Sequence, residues 1–338
     1  MNGSTNAHLF APGKLIWMGE YAVLDGAPSI VQAVDRGLRL DYETSAAPLM
    51  VSSDLWAGPL LLADAKADRA ETALLAAVVA TLTEAGAALA PLTGRLQLSS
   101  PDLVDATSGL KFGFGSSAAA AAALTVALVR LAGLPDQHLP ALAHAAHLRF
   151  QKGAGSGIDV ETSLFGGLAA MRRGPSGLAV TPLRLPAGLR VAVLHAGEAA
   201  NTRTMLATLA AARAAARPGV EASLAAMAEA AEASVVALVA GNVSDFLTRV
   251  AGFADAERAL SAAASLPIMS ASVERCIEVA ARAGWVAKPS GAGGGDIVVA
   301  FADGLEPTEA LAASAESACI PLLLPGIARA GALGSRPD

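Results

Sequence analysis

The stretch GLKFGFGSSAAAAAALTVAL, residues 109–128, decides how the chain is interpreted. Glycines at 113 and 115 let the backbone approach an anion closely, and successive N–H groups in such a loop form an anion-binding nest. The alanine-rich run that follows predicts a helix whose first N–H groups and positive dipole end face the same anion. Ser116 and Ser117 can cap this helix, donate to phosphate oxygens or ligate magnesium. A serine-capped buried helix after a glycine turn is the simpler alternative, but these features together with Lys111 favour a phosphate loop.

Two better-known nucleotide motifs fit this stretch poorly. The chain contains no GxxxxGK[ST] string, which excludes a Walker loop. Residues 113–118 match a loose GxGxxA dinucleotide fingerprint, which requires a buried strand before it and an acidic residue at a strand end about 20 residues later. Residues 101–110 are polar and turn-like, and Asp136 follows Pro135 in a predicted loop. A dehydrogenase is therefore disfavoured.

Composition indicates a soluble, globular and helix-rich protein. The chain of 338 residues is 54% hydrophobic and 16% charged, with much alanine. A net charge of −6 without a basic cluster argues against a nucleic-acid surface. The longest apolar run, 118–129, is shorter than the roughly 20 residues of a membrane span, and the amino terminus does not read as a signal peptide. We therefore expect a cytoplasmic protein without a membrane partner, and two ordinary thiols at Cys276 and Cys319.

The pattern of predicted elements changes near Pro186, which predicts two domains, residues 1–187 and 188–338. Residues 8–44 are predicted to form strands, with the patterns at 15–18 and 36–44. The other predicted strands are 96–98, 168–172, 178–185, 190–195, 285–288, 297–301 and 320–324. The predicted helices are 68–85, 116–131, 139–150, a long stretch 202–264 broken near Pro218 and Gly241, 270–283 and 307–317. Residues 326–338 are expected to be a frayed tail.

Three further segments can carry chemistry. APGKLIWMGEYAVLDG, residues 11–26, brings Lys14 and Glu20 to a turn, although by itself it favours an edge strand with a solvated lysine. KPSGAGGGDIVVAF, residues 288–301, has four glycines in five positions, which suits either a loop closing over a ligand or a flexible hairpin. GAGSGIDVETSLFGG, residues 153–167, places Asp159 either as a helix cap or as an acid that orients an acceptor.

His144 and His147 lie three residues apart on a predicted helix. A metal pair needs further ligands, and none stands nearby in the sequence. We expect two ordinary histidines on the helix surface.

The order PGKLxxxGEYxVL, KxGxGSSAA and KxSGAGGGD, spanning residues 11–301, resembles the three motifs of the GHMP kinase superfamily. This resemblance implies a two-domain α+β fold, with ATP and a small acceptor in the cleft between the domains. The details are most similar to phosphomevalonate kinases: GEYAVL at 19–24, Lys111 before the loop, and GGGD ending at Asp296. The magnesium-binding glutamate typical of mevalonate kinases would fall near residues 147–149, where the sequence is His-Leu-Arg.

The resemblance also implies cofactors and residue roles. ATP and Mg²⁺ are the expected cofactors, and the partner is a small phosphorylated mevalonate, for a chain that is a monomer or a homodimer. Lys111, Asp159 and Lys14 are the expected catalytic residues, and Ser117 is the expected magnesium ligand. The expected phosphate-binding residues are Gly113, Phe114, Gly115, Ser116, Ser117 and Ala118. The expected acceptor contacts are Lys14, Glu20, Tyr21, Ser156, Gly157, Asn201, Thr202, Ser290, Gly291, Ala292 and Gly293.

The physical chemistry of the acceptor is consistent with this choice. A phosphomonoester is already ionised at neutral pH, so its transfer needs less help from a base than an alcohol does. Bringing two polyanions together costs several kcal/mol at an effective dielectric of about 20, which calls for cations. Beyond Lys14 and Lys111, further cations could balance this charge, and the candidates are Lys152, Arg149, Arg203 and Lys288. The alternatives are mevalonate or another isoprenoid or sugar acceptor, a related decarboxylase, and a non-catalytic binding protein.

Overall fold

The computed structural model describes residues 7–54, 56–104, 111–153, 155–174, 177–198, 201–304 and 307–336. The helices are α1 (Ala73–Glu84), α2 (Ser116–Leu131), α3 (Leu139–Phe150), α4 (Ile158–Phe165), α5 (Thr202–Ala214), α6 (Val220–Val239), α7 (Val243–Ala264), α8 (Ala271–Arg282) and α9 (Pro307–Ser317). The strands are β1 (Ala7–Met18), β2 (Pro28–Pro48), β3 (Met50–Ser53), β4 (Leu60–Leu61), β5 (Thr93–Ser99), β6 (Leu168–Gly174), β7 (Gly177–Leu183), β8 (Leu189–His195), β9 (Val286–Ser290), β10 (Ile297–Asp303) and β11 (Leu322–Leu323).

One mixed sheet and one antiparallel sheet form the framework, as expected for an α+β fold with two domains. The first sheet has the order β4-β3-β5-β2-β6-β7, and β1 pairs with the other edge of β2. The second sheet has the order β11-β8-β10-β9. The sheets separate between Leu183 and Leu189, on either side of the predicted boundary at residue 187. The boundary itself stays a prediction, because the end of the chain returns to the first sheet.

Helix α2 is the centre of the first domain. From Ala118 to Val129 every residue is buried, and the helix packs against β1, β2, α1, α3 and α4. Alanine has a small side chain and a high helix propensity, so this run can form a helix that neighbours approach closely on every side. The predicted central helix is confirmed with its bounds unchanged.

The domains share an aromatic cluster beneath the cleft. Trp17 of β1 lies with its ring 5.2 Å from Phe301 of β10 and 6.0 Å from Phe246 of α7. Phe301 and Phe246 contact each other edge-on at 5.2 Å. Because all three side chains are fully buried, the core continues from one domain into the other and fixes how the two meet.

Most predicted elements are confirmed, although β7 and β11 are shorter than the sequence indicated and several other strands are longer. The breaks near Pro218 and Gly241 separate α5, α6 and α7. The predicted strand 36–44 is only the middle of β2, whose earlier half is buried between β1 and β6 and so lacks the alternation of a half-exposed strand.

The carboxyl-terminal segment corrects one prediction, because residues 326–336 are not a frayed tail; residues 337–338 lie outside the described ranges. Strand β2 pairs with β6 at its start and with β5 farther along, which leaves a gap on that edge between the two partners. Ile327 bridges Val34 in this gap, and the N–H of Ala328 donates to the carbonyl of Ala33 at 2.9 Å. Buried backbone groups require partners, and here the end of the chain supplies them.

One helix in the described part of the chain, α6, is long and apolar enough to cross a membrane by length and composition. It packs along α7 and also contacts β2 and α5. The buried share of its most apolar window is 39%. Core helices of globular domains have this same composition.

Candidate active site

The predicted phosphate loop lies at the start of α2, where β1 and the second domain converge. The N–H of Lys14 donates to the carbonyl of Phe114 at 2.8 Å, which ties the loop to β1. Gly113 has a φ of 73°, and a Cβ there would lie 2.7 Å from the Cβ of Asp296. Glycine is therefore required at this position both by backbone conformation and by the approach of the second domain. Beside Gly115 the aliphatic stem of Lys14 passes at contact distance.

A cavity of about 670 Å³ opens in front of this loop, between the two domains. The predicted site residues that line it are Lys14, Glu20, Tyr21, Lys111, Gly113, Phe114, Gly115, Ser116, Ser117, Ser156, Asp159, Thr202, Gly291 and Ala292. They come from five separate parts of the sequence, and the fold brings them to one cleft. The start of α2 directs its first N–H groups and its positive dipole end towards the same space.

Two predicted acceptor contacts in the glycine-rich loop lie behind the cavity wall. Ser290 is buried, and its hydroxyl donates to the carbonyl of Ile16 (2.8 Å) and accepts from its N–H (3.1 Å). A Cβ on Gly293 would lie 2.6 Å from the side chain of Ile268. Neither residue lines the cavity, and their contacts indicate a structural role in joining β1, β9 and the loop.

Three other predicted residues also lie outside the lining. Asn201 caps α5, its side-chain oxygen accepting from the N–H of Thr204 at 3.1 Å. Gly157 lies beside the ring of His144, and Ala118 is fully buried in α2. Their assignment stays a prediction that the cavity does not support.

Lys14 is the cation nearest to all three motifs. Burial lowers the pKa of its ammonium group, while Asp159, Asp296 and Glu20 act in the opposite direction. A Cβ on Gly291 would lie 3.7 Å from Lys14 Nζ, so the amine stands between the phosphate loop and the glycine-rich loop. This position suits a group that contacts a phosphate in transfer.

His147 corrects a second prediction, because it is not on the helix surface. Its side chain is only 2% exposed. Nε2 lies 3.2 Å from the hydroxyl of Ser117, and Nδ1 faces Asp159 Oδ1 at 3.9 Å. A buried imidazole therefore stands between the predicted magnesium ligand and the predicted catalytic carboxylate.

His144, one turn earlier on α3, makes a separate contact. Its Nε2 lies 3.1 Å from Glu161 Oε2, and the other oxygen of Glu161 accepts from Arg336 at 2.7 Å. Arg336 also stacks over the ring of Phe165 at 4.5 Å. The end of the chain thus fixes α4 from the side opposite to the cavity.

Lys288 corrects a third prediction, since it cannot serve as a cation for the substrate. It is fully buried, with Nζ 2.5 Å from Glu20 Oε1 and 3.6 Å from Glu257 Oε1. Its ammonium also lies 5.0 Å from the ring centre of Phe253 and donates to the carbonyl of Pro289. Burial raises the pKa of Glu257 well above its ordinary value, although Lys288 acts against this shift.

The glycine-rich loop is fastened to the first domain through the motif around Glu20. The N–H of Gly291 donates to Glu20 Oε1 at 3.2 Å, and the hydroxyl of Tyr21 donates to the carbonyl of Ala292. Burial, with the carboxylates of Glu257 and Glu20 as smaller causes, raises the pKa of Tyr21 and keeps this donor protonated. Of the loop residues 290–296, Gly291, Ala292 and Asp296 line the cavity.

The other side chains predicted as additional cations for the phosphates do not line the cavity. Arg149 pairs with Glu84 on α1 in a bidentate contact, and Lys152 and Arg203 are exposed outside the lining. Among the described residues that line the cavity, Lys14 and Lys111 are the lysines, facing the carboxylates of Glu20, Asp159, Glu198 and Asp296. The cavity is thus less basic than the sequence suggested.

His195 at the end of β8 is a lining residue that the sequence did not reveal. The N–H of Gly197 donates to its Nδ1 at 3.2 Å, so the ring proton is on Nε2, which donates to the carbonyl of Lys111 at 2.9 Å. The second domain thereby holds the segment that carries Lys111. No motif surrounds His195, so only the pairing of β8 with β10 could have located it.

Among the described residues, no group of three or more His, Cys, Asp or Glu side chains forms a metal site. Magnesium in nucleotide sites is held mainly by phosphates and water, with one or two protein ligands. The hydroxyl of Ser117, which lines the cavity at the start of α2, is compatible with such a site.

Comparison with known proteins defines the class. Family models for the GHMP kinases match residues 77–167 (N-terminal domain) and 242–320 (C-terminal domain). The chain belongs to the GHMP kinases.

Individual relatives narrow the comparison. Phosphomevalonate kinase of Streptomyces sp. (strain CL190) is 29% identical over 87% of this chain and 89% of its own length. Mevalonate kinase of Aeropyrum pernix is also 29% identical, over 52% of this chain and 53% of its own. Streptococcus pneumoniae phosphomevalonate kinase, solved with phosphomevalonate and AMPPNP, has a TM-score of 0.78 at 22% identity, covering 96% of this chain and all (100%) of its own. The two-domain fold predicted from the sequence is confirmed.

Proposed function

We propose that this chain transfers the γ-phosphoryl group of ATP to 5-phosphomevalonate, forming 5-diphosphomevalonate and ADP. The observation that carries the proposal is the convergence of the α2 phosphate loop, Lys14 and Asp159 on one interdomain cavity. A loop of this kind at a helix start provides backbone donors for the β- and γ-phosphates.

Each catalytic group has a role that follows from its position. Lys111, before the loop, would balance the charge shared by the γ-phosphate and the incoming acceptor. Lys14 would contact the transferring group from the β1 side, and Asp159 would orient Lys14 and the acceptor. Ser117 would hold Mg²⁺, whose chemistry when bound is to neutralise phosphate charge.

The choice of acceptor is supported by similarity. The phosphomevalonate kinase of Streptomyces covers most of this chain, and the matched mevalonate kinase only half. The motif GEYAVL and the missing glutamate near residue 147 point the same way.

One observation favours mevalonate as the second candidate. A phosphorylated acceptor brings additional negative charge, whereas the described lining offers Lys14 and Lys111 against a surplus of carboxylates. A hydroxyl acceptor needs a positioned carboxylate such as Asp159 and fewer cations.

An ADP-release assay with ATP and magnesium would decide between them. Mevalonate, phosphomevalonate, galactose and homoserine are offered in parallel to the same protein preparation. We expect turnover with phosphomevalonate. Turnover with mevalonate alone would contradict the acceptor assignment, and no turnover with any acceptor would favour a binding protein.

A further inference from the structure

We propose that His147 is a positioning residue that holds the Ser117 hydroxyl in the orientation needed to ligate magnesium and couples it to Asp159. This inference rests on the proposed function. His147 would touch neither nucleotide nor acceptor; it would act through the serine. It lies on α3, whereas Ser117 begins α2 and Asp159 begins α4, so three helices meet at this imidazole.

The geometry leaves His147 with one set of polar partners. The side chain is buried against Phe150, whose ring centre is 6.1 Å away. Its two nitrogens face the Ser117 hydroxyl and the Asp159 carboxylate, at 3.2 Å and 3.9 Å. A buried ring whose nitrogens face two site residues has a fixed orientation, and it can pass that orientation on.

The donors and acceptors available to Ser117 and His147 determine the direction of the hydrogen bond between them. A serine that gives a lone pair to a cation still has its hydroxyl proton to donate, and a neutral imidazole can accept it at Nε2. The ring proton is then on Nδ1, the atom that faces Asp159 Oδ1. The hydroxyl lone pairs of Ser117 are thereby turned away from His147. The carboxylate of Asp159, at 3.9 Å and so beyond hydrogen-bond distance, favours this tautomer by electrostatic attraction alone.

Three substitutions separate the two contacts. His147→Gln keeps a polar atom near the position of Nε2, and His147→Asn keeps one near Nδ1. His147→Phe removes both while retaining a ring. His144→Gln is the matched control, because His144 lies on the same helix but contacts Glu161 and not the cavity.

The measurement is the dissociation constant of ADP by calorimetry, with magnesium and with EDTA. Losing an outer-shell partner typically costs about 10–100-fold in metal affinity. We expect His147→Asn and His147→Phe to lose about 10-fold or more of the magnesium-dependent gain in ADP affinity. His147→Gln and His144→Gln should retain it, and ADP binding in EDTA should be the same for all variants.

A second measurement tests the route through the serine. If His147 acts by orienting Ser117, then Ser117→Ala should cost little more once His147→Asn is present. Additive losses of the magnesium-dependent gain in ADP affinity would overturn the inference. It would also be overturned if both His147→Asn and His147→Phe kept a gain as large as that of the wild type. A wild-type protein that binds ADP equally with and without magnesium would overturn it too, while the acceptor assay would still decide the kinase proposal. Circular dichroism identifies any variant that does not fold. If His147→Asn does not fold, Ser117→Ala is compared with His147→Gln instead.

Discussion

Two glycine-rich loops face each other across the cavity, and they are built differently. The loop at 113–117 opens α2 and is tied to β1 by one backbone hydrogen bond, from Lys14. The loop at 290–296 is fastened by side chains, with Ser290 on Ile16 and Tyr21 on Ala292. The first presents most of its residues to the cavity, and the second presents only part. Glycine content predicts backbone freedom, but the side chains around a loop decide what that freedom serves.

Two lysines, one lining the cavity and one fully buried, repeat the contrast. Lys14 lines the cavity, where its amine can contact a ligand. Lys288 is enclosed by Glu20 and Glu257, where its charge neutralises the carboxylate of Glu20. We therefore expect replacement of one lysine to impair catalysis and replacement of the other to impair folding.

The largest effect is expected for Lys288→Met. Removing the ammonium leaves Glu20 buried without its partner, which typically costs about 3–5 kcal/mol in the free energy of unfolding. Urea unfolding measures the loss. Adding Glu20→Gln should recover part of it, and a single variant as stable as the wild type would contradict the ion-pair role.

Lys14→Met should have the second-largest effect, and it should impair catalysis instead of stability. Loss of one transition-state donor typically lowers kcat about 10²–10³-fold. Stability should be unchanged or higher, because burial disfavours the charged amine. Steady-state kinetics and a melting curve measure both, with exposed Lys152→Met as the control that should retain full activity. An active Lys14→Met variant would remove the distinction between the two lysines.

The two loops can be compared directly with Gly113→Ala and Gly293→Ala. Both glycines have left-handed φ angles, 73° and 72°, so alanine should cost about 1–2 kcal/mol at either site, together with crowding. Gly113→Ala should also weaken ATP binding, whereas Gly293→Ala, directed at Ile268, should not. Equal loss of ATP affinity in both variants would show that the loops are functionally alike.

Glu257→Gln is expected to have the smallest effect, and it depends on pH. Because burial raises the pKa of Glu257, the folded protein holds a proton that the unfolded chain releases above about pH 4.5. The contribution of Glu257 to the free energy of unfolding of the wild type is therefore greatest at low pH. It declines as the pH rises towards the raised pKa of Glu257. Glutamine does not titrate, so the variant's melting temperature should match the wild type near pH 4.5 and exceed it near pH 8. A variant less stable at pH 8 would indicate an ionised Glu257 paired with Lys288.

Local sequence determined the phosphate loop, the central helix and the class of protein. Residues 109–128 contain the glycines, the serines and the alanine helix in one continuous stretch, and short-range chemistry is sufficient to interpret them. The motif order from residue 11 to residue 301 placed the chain among the GHMP kinases, and the family models agree.

Tertiary structure alone decided which polar residues face the cavity. Histidine and lysine are residue types that commonly lie at the surface. Only the packing of distant elements shows that His147 and Lys288 are both buried among charged or polar partners. The carboxyl-terminal segment looked like a tail because its partner, the gap in β2, is about 290 residues away in the sequence. The burial of a side chain depends on contacts far along the chain, and those contacts leave no local pattern.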